Sequence, residues 1–323
     1  KKFDLEENPS NDIYKIQNRK TACKIIEELT GEIVSEYDNL LLDECIELLM
    51  QNRNLILTGA PGTGKTYLAK QIASEIGKYK FVQFHPSYDY TDFVEGLRPK
   101  NDNGNIGFER KDGVFKEFCK EALNNQSSNF VFIIDEINRG EISKIFGELF
   151  FSVDSGYRGE KGKVQTQYAN LIEDGDEFKD GFYIPENVYI IGTMNDIDRS
   201  VESMDFAMRR RFAWKEIKAE DTQETILKDL GDLKDETIKR MNNLNKVIRN
   251  KETNLSEAYC IGAAYFKKIK DYEGDFNKLW ENHLKGLLFE YTRGMQNQET
   301  ILKELKNAYD LKDNLINDNS NQD

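Results

Sequence analysis

Apolar residues recur with two different periods along this chain of 323 residues. Five short apolar runs alternate with stretches of helical spacing, and they cover residues 55–58, 81–84, 130–134, 188–192 and 212–217. Short runs that are bounded by turn signals and joined by helices are typical of parallel strands covered on both faces. The pattern therefore predicts an α/β fold built on a five-stranded parallel sheet.

Helical spacing dominates on both sides of these runs. It predicts two helices over residues 21–52 and, from about residue 219, a second domain that is all helical. Residues 104–114 and 157–185 break the alternation with many Gly, Lys, Asp and Tyr residues, and they predict β-hairpin insertions. We expect a linker or remnant over residues 1–20, an α/β nucleotide-binding domain over 21–218, a helical lid domain over 219–310 and a disordered tail over 311–323.

A glycine-rich segment lies between the first predicted strand and a helix-patterned stretch. Its residues are Gly59, Ala60, Pro61, Gly62, Thr63, Gly64, Lys65, Thr66 and Tyr67. The spacing of the glycines, the lysine and the threonine is that of a phosphate-binding P-loop. In such a loop backbone N–H groups surround phosphate oxygens, Lys65 reaches the β and γ phosphates, and the Thr66 hydroxyl ligates Mg²⁺. The motif predicts a nucleotide-binding protein.

Polar residues at the ends of two later strands predict the rest of a hydrolytic site. Asp135 and Glu136 follow the third apolar run, where the carboxyl ends of parallel strands form a ligand crevice. We expect Asp135 to hold Mg²⁺ through water, and Glu136 to orient or deprotonate the attacking water. Asn195 follows the fourth run, on a strand expected between the first and the third. Its amide can bond both a γ-phosphate and that water.

Three consecutive arginines, Arg209, Arg210 and Arg211, lead into the fifth predicted strand. Guanidinium groups are well suited to stabilise the charge of a transferring phosphoryl group. Because these residues should lie away from their own P-loop, we expect them to act in trans, on the nucleotide of a neighbouring subunit. The alternative is a solvated basic turn that is paired with local acids.

Composition narrows the class of protein further. The formal net charge of −13 argues against a broad electropositive face for DNA, so we expect any DNA contact to be local or indirect. Four cysteines without Cys-x-x-Cys spacing, and only two histidines, argue against a zinc site or a disulfide framework. No apolar run reaches the roughly 20 residues of a membrane span, and the N-terminus lacks a secretory apolar core. We therefore expect a cytoplasmic protein with no membrane partner.

The order of these features resembles that of the AAA+ ATPases, and further segments resemble one branch of them. These segments are similar to the motor subunit of the McrBC modification-dependent restriction systems, and they cover residues 82–96, 132–139, 143–148, 184–192, 194–200, 261–266 and 280–291. That branch uses GTP, and its signature is a Met-Asn-x-x-Asp-Arg loop. The corresponding residues here are 194–199.

The resemblance implies a GTP-hydrolysing motor that requires Mg²⁺. It implies that Asp198 and Arg199 complete the signature loop beside the nucleotide, and that Arg210 and Arg211 act in trans. Members of the family form hexameric rings, are stimulated by a nuclease-bearing partner and usually carry a separate N-terminal DNA-binding domain. We therefore expect a homo-hexameric ring and an McrC-like nuclease subunit. DNA contact is expected through the ring or through such a domain outside this sequence.

Two departures from the family pattern leave alternatives open. Asp196 and Ile197 replace the usual Thr-Ala, which adds a carboxylate near the phosphates and leaves ATP open as the nucleotide. Residues 262–265 lack the usual His-Ser, so a second sensor there has no assignment. The alternative function is that of a MoxR-type ATPase that remodels a protein client. The intact catalytic residues favour the motor over this alternative.

The basic segment 157–163 has two possible interpretations. It contains Arg158, Lys161 and Lys163, and is a candidate for contacting DNA or a partner in the pore of a ring. The alternative is a solvated loop.

Overall fold

The structure is a computed structural model that describes residues 5–8, 13–16, 36–102, 105–197, 206–250, 253 and 255–312. Near the start of the chain, β1 (Leu5–Asn8) pairs antiparallel with β2 (Ile13–Ile16). Of the two helices predicted over residues 21–52, the described part contains one. The predicted disorder beyond residue 312, and the signature-loop residues Asp198 and Arg199, lie outside the described residues.

Helices and strands alternate from residue 36 to residue 216, as the sequence pattern predicts. In chain order they are α1 (Glu36–Asn52), β3 (Asn54–Thr58), α2 (Lys65–Ile76), β4 (Lys78–Gln83), α3 (Tyr90–Phe93), β5 (Glu95–Asp102), β6 (Asn105–Asp112), α4 (Val114–Leu123), β7 (Phe130–Asp135), α5 (Ile142–Phe146), β8 (Val188–Thr193), α6 (Phe206–Arg209) and β9 (Ala213–Glu216). Five strands form one parallel sheet in the order β4-β7-β8-β3-β9. The predicted five-stranded parallel sheet is confirmed, and β8 lies between the first and third predicted strands.

Both faces of the sheet are covered, which explains why its strands read as continuous apolar runs. On β7, Phe130, Phe132 and Ile134 belong to the core on one face of the sheet. The alternate residues Val131 and Ile133 belong to the core on the other face, together with residues of α1 and α2. Successive side chains of a strand point to opposite faces, so a strand with two covered faces has no position that favours a polar residue.

The two predicted insertions fold differently. The first, residues 104–114, contains only the second strand of an antiparallel hairpin, because β6 pairs with β5 and the hairpin begins at Glu95. The second, residues 157–185, forms short 3-10 turns and a single antiparallel bridge between Val164 and Phe182 instead of a β-hairpin. Phe178, Phe182 and Ile184 are fully buried in the main core. These apolar anchors hold the loop against the sheet domain, whereas a projecting hairpin would expose them.

A buried ion network attaches the hairpin to the core. Lys116 Nζ lies 2.6 Å from Glu95 Oε2, and neither side chain is exposed. Arg110 lies 3.1 Å from the same oxygen, and Lys120 joins Asp176 of the second insertion to the network at 2.6 Å. Burial by itself raises the pKa of Glu95, but the hydrogen bond from Lys116 brings this pKa below its usual value.

Replacing Lys116 with Met is expected to lower the free energy of unfolding by about 3 kcal/mol, because Glu95 then stays buried without its closest cation. A matched control is Lys285→Met, which removes the cation of an exposed ion pair with Glu281. The control is expected to cost less than about 1 kcal/mol. Urea denaturation measures both values. Equal losses in the two variants would contradict a stabilising role for the buried network.

The C-terminal part of the described chain is helical. Its helices are α7 (Gln223–Ile226), α8 (Lys234–Ile248), α9 (Ala263–Phe266), α10 (Phe276–Leu279), α11 (Lys285–Tyr291) and α12 (Gln298–Tyr309), with a π-helical turn (Trp280–Leu284) between α10 and α11. They enclose a core of their own, which includes Met241, Leu244 and Leu305 and also contacts Ala60 of the P-loop. The predicted helical region is confirmed. No helix in the described ranges is both long and apolar enough to cross a membrane.

Candidate functional site

The P-loop leaves β3 and enters α2 at Lys65. Gly64 has φ 83°, in the left-handed region that glycine adopts without a steric penalty. Gly59 lies against the chain that follows β9, where an added Cβ would lie 2.2 Å from the backbone oxygen of Ile217. The glycines thus turn the backbone tightly at the start of a helix, where N–H groups are available to an anion.

Lys65 is buried inside its own loop. Its Nζ donates to the backbone oxygens of Gly59 at 3.0 Å and of Ala60 at 2.8 Å, and the residue is only 6% exposed. Burial lowers the pKa of Lys65 from its ordinary value to about 8, and the carboxylate of Asp196 is the largest influence that opposes this effect. A lysine with this pKa is partly neutral near physiological pH until a phosphate provides a counter-charge.

Nucleotide affinity is therefore expected to fall as the pH rises through about 8. Below that pH Lys65 is charged and attracts phosphate, whereas the neutral amine above it does not. The dissociation constant of a nucleoside diphosphate is expected to rise by up to about tenfold per pH unit in that range. Isothermal titration calorimetry at successive pH values measures this slope.

The variant Asp196→Asn provides the control for this pH dependence. It removes the carboxylate that most favours the charged form of Lys65. The pH at which nucleotide affinity begins to fall is therefore expected to be lower in this variant. The same pH in both chains, or an affinity that is independent of pH, would contradict the assignment to Lys65.

The two residues predicted to hold Mg²⁺ lie next to each other. The Thr66 hydroxyl donates to Asp135 Oδ1 at 2.6 Å. The Thr193 hydroxyl, at the end of β8, donates to the same oxygen at 2.7 Å. Mg²⁺ prefers oxygen ligands and is commonly held by one or two carboxylates, waters and substrate phosphates. The hydroxyl and carboxylate oxygens at this position fit such a site.

Glu136 follows Asp135 in a conformation that is uncommon for a residue with a side chain. Its φ of 52° lies in the left-handed region, and such strain concentrates at functional sites. Glu136 Oε1 accepts a hydrogen bond from Asn195 Nδ2 at 2.8 Å, and Oε2 accepts one from Arg139 Nε at 3.3 Å. The structure therefore brings together Glu136 and Asn195, which the sequence predicted to share one water.

Two residues near these carboxylates were not predicted from the sequence. Thr193 contacts both acids, because its hydroxyl also accepts from the backbone N–H of Glu136 at 3.3 Å. Arg139 holds the second oxygen of Glu136. Only the positions of these residues in the sequence could have indicated a role, since Thr193 lies two residues before Asn195 and Arg139 lies three residues after Glu136. A threonine in a strand and an arginine in a turn are too common to indicate a site by residue type.

The helical region packs directly on the P-loop. The backbone N–H groups of Gly262 and Ala264 donate to the oxygens of Pro61 at 2.9 Å and Gly62 at 3.0 Å. The Thr222 hydroxyl donates to the oxygen of Thr63 at 2.7 Å. Residues 262–265, for which the sequence provided no role, therefore support the loop through main-chain hydrogen bonds.

The backbone of Arg211 lies at the opposite end of β3 from the P-loop. Asn54 Nδ2 donates to the backbone oxygen of Arg211 at 2.8 Å. Asn54 is the first residue of β3, and the P-loop follows Thr58, its last residue. A strand of this length spans about 13 Å. The backbone of Arg211, and of the adjacent Arg210, is therefore separated from the P-loop by the length of a strand, whereas the Arg209 charge acts on the Asp196 carboxylate near the loop.

The three arginines differ in what they contact. The Arg209 guanidinium lies over the ring of Trp214 at 4.6 Å. The Arg211 guanidinium lies over the ring of Phe150 at 4.3 Å and also donates to the backbone oxygen of Ala207. Arg210 is exposed. These contacts favour Arg210 over Arg211 as the residue that reaches another subunit.

Arg158 does not have either of the roles considered for it. It is 4% exposed and donates to Asn54 Oδ1, so it is neither a pore contact nor part of a solvated loop. Burial lowers the pKa of Arg158 to about 9. The sequence could not reveal this position, because the loop that carries Arg158 is buried by apolar anchors twenty or more residues later. Lys161 of the same segment is exposed.

Comparisons with known proteins agree with this geometry. A family model described as "AAA domain (dynein-related subfamily)" matches residues 54–212. The "Type IV methyl-directed restriction enzyme EcoKMcrB subunit" of Escherichia coli (strain K12) is 39% identical over 237 residues, which cover 70% of this chain and 50% of that protein. The "Type II restriction enzyme BsuMI component YdiS" of Bacillus subtilis (strain 168) is 28% identical over 204 residues, which cover 54% of this chain and 60% of that protein.

The matched region begins with β3 and ends just before β9, so it contains the P-loop, both acids, Asn195 and the arginines. The chain spans only 50% and 60% of the lengths of the two relatives. The strand order, the P-loop and this match together assign the nucleotide-binding module. The chain belongs to the McrB-like AAA+ proteins.

Proposed function

We propose that the chain is a GTP-hydrolysing motor subunit that assembles into a ring and drives DNA translocation for a partner nuclease. The observation that carries this proposal is the separation of Arg210 from the P-loop along β3. A catalytic site that needs both Arg210 and the P-loop is complete only where two copies of the chain meet head to tail. Head-to-tail contacts generate a closed ring when the rotation from one copy to the next leads back to the first copy. A hexamer is the ring size that the family resemblance implies.

The chain's own residues support hydrolysis at such an interface. The P-loop amides and Lys65 bind the phosphates, and Thr66 and Asp135 provide oxygen ligands for Mg²⁺, which supplies charge neutralisation when bound. Asn195 orients a water, and Glu136 accepts its proton. Arg210 of the neighbouring subunit stabilises the charge of the phosphoryl group in the transition state.

The nuclease and DNA parts of the proposal rest on the relatives. Both are named as parts of restriction enzymes, one as a subunit and one as a component. GTP is proposed because the loop at residues 194–199 has the Met-Asn-x-x-Asp-Arg pattern of the GTP-using branch. The second candidate is an ATP-dependent remodelling module, and it is favoured by Asp196, whose backbone N–H lies 3.4 Å from the oxygen of Gly59.

Phosphate release with GTP and with ATP, each with and without an McrC-like nuclease subunit, tests this function. We expect GTP turnover that rises when the nuclease subunit is added. Lys65→Ala provides the negative control, because it removes the lysine that binds the phosphates. Preferential ATP turnover that is indifferent to the nuclease would overturn the proposal in favour of the remodelling module.

A further inference from the structure

Asn54, the first residue of β3, is a fully buried amide that connects this strand to two distant segments of the chain. Its Nδ2 donates to the backbone oxygen of Arg211 at 2.8 Å and to that of Val153 at 2.8 Å. Its Oδ1 accepts a hydrogen bond from Arg158 Nη2. Both the nitrogen and the oxygen of the amide are therefore engaged, at the end of β3 that lies away from the P-loop.

Arg158 fixes the direction in which this amide points. A guanidinium has donors only, so the amide oxygen must face Arg158 and the amide nitrogen must face the two backbone oxygens. Arg158 is 4% exposed, and its Nε and Nη1 have no hydrogen-bond partner among the described residues. Burying a guanidinium with unused donors costs free energy. Stability therefore gives little reason for this residue, whereas the orientation of Asn54 gives one.

The turn that carries Arg210 has little support of its own. It runs from α6, a helix of four residues in which only Met208 is buried, to β9. The pairing of β9 with β3 begins at Ala213. The hydrogen bond from Asn54 to Arg211 holds the chain two residues before this pairing begins, directly after Arg210.

The second hydrogen bond from the Asn54 nitrogen holds the segment against which the Arg211 side chain packs. Val153, which accepts this bond, lies three residues after Phe150. The Arg211 guanidinium lies over the Phe150 ring at 4.3 Å. The backbone of Arg211 is thus tied to β3 by Asn54 directly, and its side chain is tied to β3 through the segment that Asn54 also holds. Arg210 is the exposed residue next to this anchor.

We propose that Asn54 and Arg158 are positioning residues for Arg210, and that they act on hydrolysis in the neighbouring subunit. They hold the backbone beside Arg210 against an interior strand of the sheet, so the exposed side chain is presented from a fixed position. Position matters for such a group, because a misplacement of about 1 Å can cost about 100-fold in rate. This assignment rests on the proposed function, in which Arg210 acts in trans, and it extends the machinery to two buried residues.

Asn54→Asp tests the proposal with the smallest change of shape. The new carboxylate can still accept from Arg158, but it cannot donate to the backbone oxygens of Arg211 and Val153, and it repels them. We expect hydrolysis to slow by about 10–100-fold, measured as phosphate release. The dissociation constant of a nucleoside diphosphate, measured by calorimetry, is expected to stay unchanged, because the P-loop lies at the other end of β3.

Mixed assemblies distinguish a misplaced arginine from general damage. An Asn54→Asp chain keeps its P-loop, so Lys65→Ala chains, which keep a correctly placed arginine, are expected to restore its turnover. Arg210→Ala chains are expected not to restore it, because neither chain in that mixture presents the arginine correctly. A purely structural defect would not distinguish the two partners. Rescue by both partners, or by neither, would overturn the assignment.

Arg158→Met provides a second variant at a different residue of the network. It removes the guanidinium that orients the Asn54 amide, while a long side chain still fills the space. We expect slower hydrolysis and the same pattern of rescue, by Lys65→Ala chains and not by Arg210→Ala chains. A turnover equal to that of the unaltered chain would exclude Arg158 as a positioning residue.

Asn187→Asp is the matched control. Asn187 lies directly before β8, and its Nδ2 donates to the backbone oxygens of Ala122 at 3.0 Å and Ser128 at 2.8 Å, which are not part of the arginine turn. This variant is expected to lower the melting temperature while hydrolysis stays close to that of the unaltered chain. A loss of turnover equal to that of Asn54→Asp would overturn the assignment.

The failure of this inference is distinguishable from the failure of the proposed function. The reference is the mixture of Lys65→Ala with Arg210→Ala chains. Recovery of hydrolysis in that mixture, without selective rescue of Asn54→Asp, overturns the positioning residues alone. No recovery in that mixture overturns both the arginine that acts in trans and the residues proposed to position it.

Discussion

Replacing Glu136 with Gln is expected to slow nucleotide hydrolysis by about 10²–10⁴-fold while nucleotide binding persists. The amide of Gln has nearly the shape of the carboxylate, and its oxygen can still accept from Asn195, which lies 2.8 Å from Glu136 Oε1. It cannot accept the proton of the attacking water. The loss should therefore appear in the turnover number, measured by phosphate release, and not in the dissociation constant, measured by calorimetry.

Asp135→Asn is the matched control for this experiment. It alters the adjacent acid, whose oxygen receives the Thr66 hydroxyl at 2.6 Å. Because Asp135 is placed as a metal ligand, its loss is expected to raise the Mg²⁺ concentration needed for tight nucleotide binding. Glu136→Gln should leave that concentration unchanged. A Glu136→Gln variant that hydrolyses within about threefold of the unaltered chain would exclude Glu136 as the base.

Replacing Arg210 with Ala is expected to slow hydrolysis by about 10³-fold or more, because arginines that act in trans contribute on this scale. Arg210 is exposed, so the fold should not change. Arg211→Ala provides the comparison, since that guanidinium lies 4.3 Å from the ring of Phe150. Loss of this contact should lower the melting temperature, whereas Arg210→Ala should not.

Mixing two inactive variants tests whether Arg210 acts in trans. Lys65→Ala removes the phosphate-binding lysine, and Arg210→Ala removes the arginine. In a mixed assembly some interfaces join an intact P-loop to an intact arginine, so part of the hydrolytic activity should return. Recovery is read as phosphate release at increasing ratios of the two chains. If no mixture exceeds the single variants, the arginine acts within its own chain.

Much of the fold could be predicted because its determinants are local. The apolar runs of the five strands, the glycines of the P-loop and the helical spacing after residue 219 each depend on a few neighbouring residues. The second insertion could not be predicted in the same way. Its Gly and Asp content indicates turns, but the burial of Phe178 and Ile184 against the core decides its path.

The same distinction between local sequence and distant contacts applies to the candidate site. Lys65, Asp135, Glu136 and Asn195 were predicted because each lies at the end of a strand or the start of a helix, and parallel strands bring such ends together. The contacts of Asp135 and Glu136 with Thr193 depend on the order of β7, β8 and β3 in the sheet. That order follows from packing between segments distant in the chain.

By itself, the sequence determined that this chain binds a nucleotide through a P-loop at the carboxyl end of a strand in a parallel sheet. Only the tertiary structure separated Arg210, which is exposed, from Arg211 and Arg158, which are held by Phe150 and Asn54. The physical reason is that a motif specifies local backbone conformation, whereas exposure and convergence of side chains depend on contacts between distant segments.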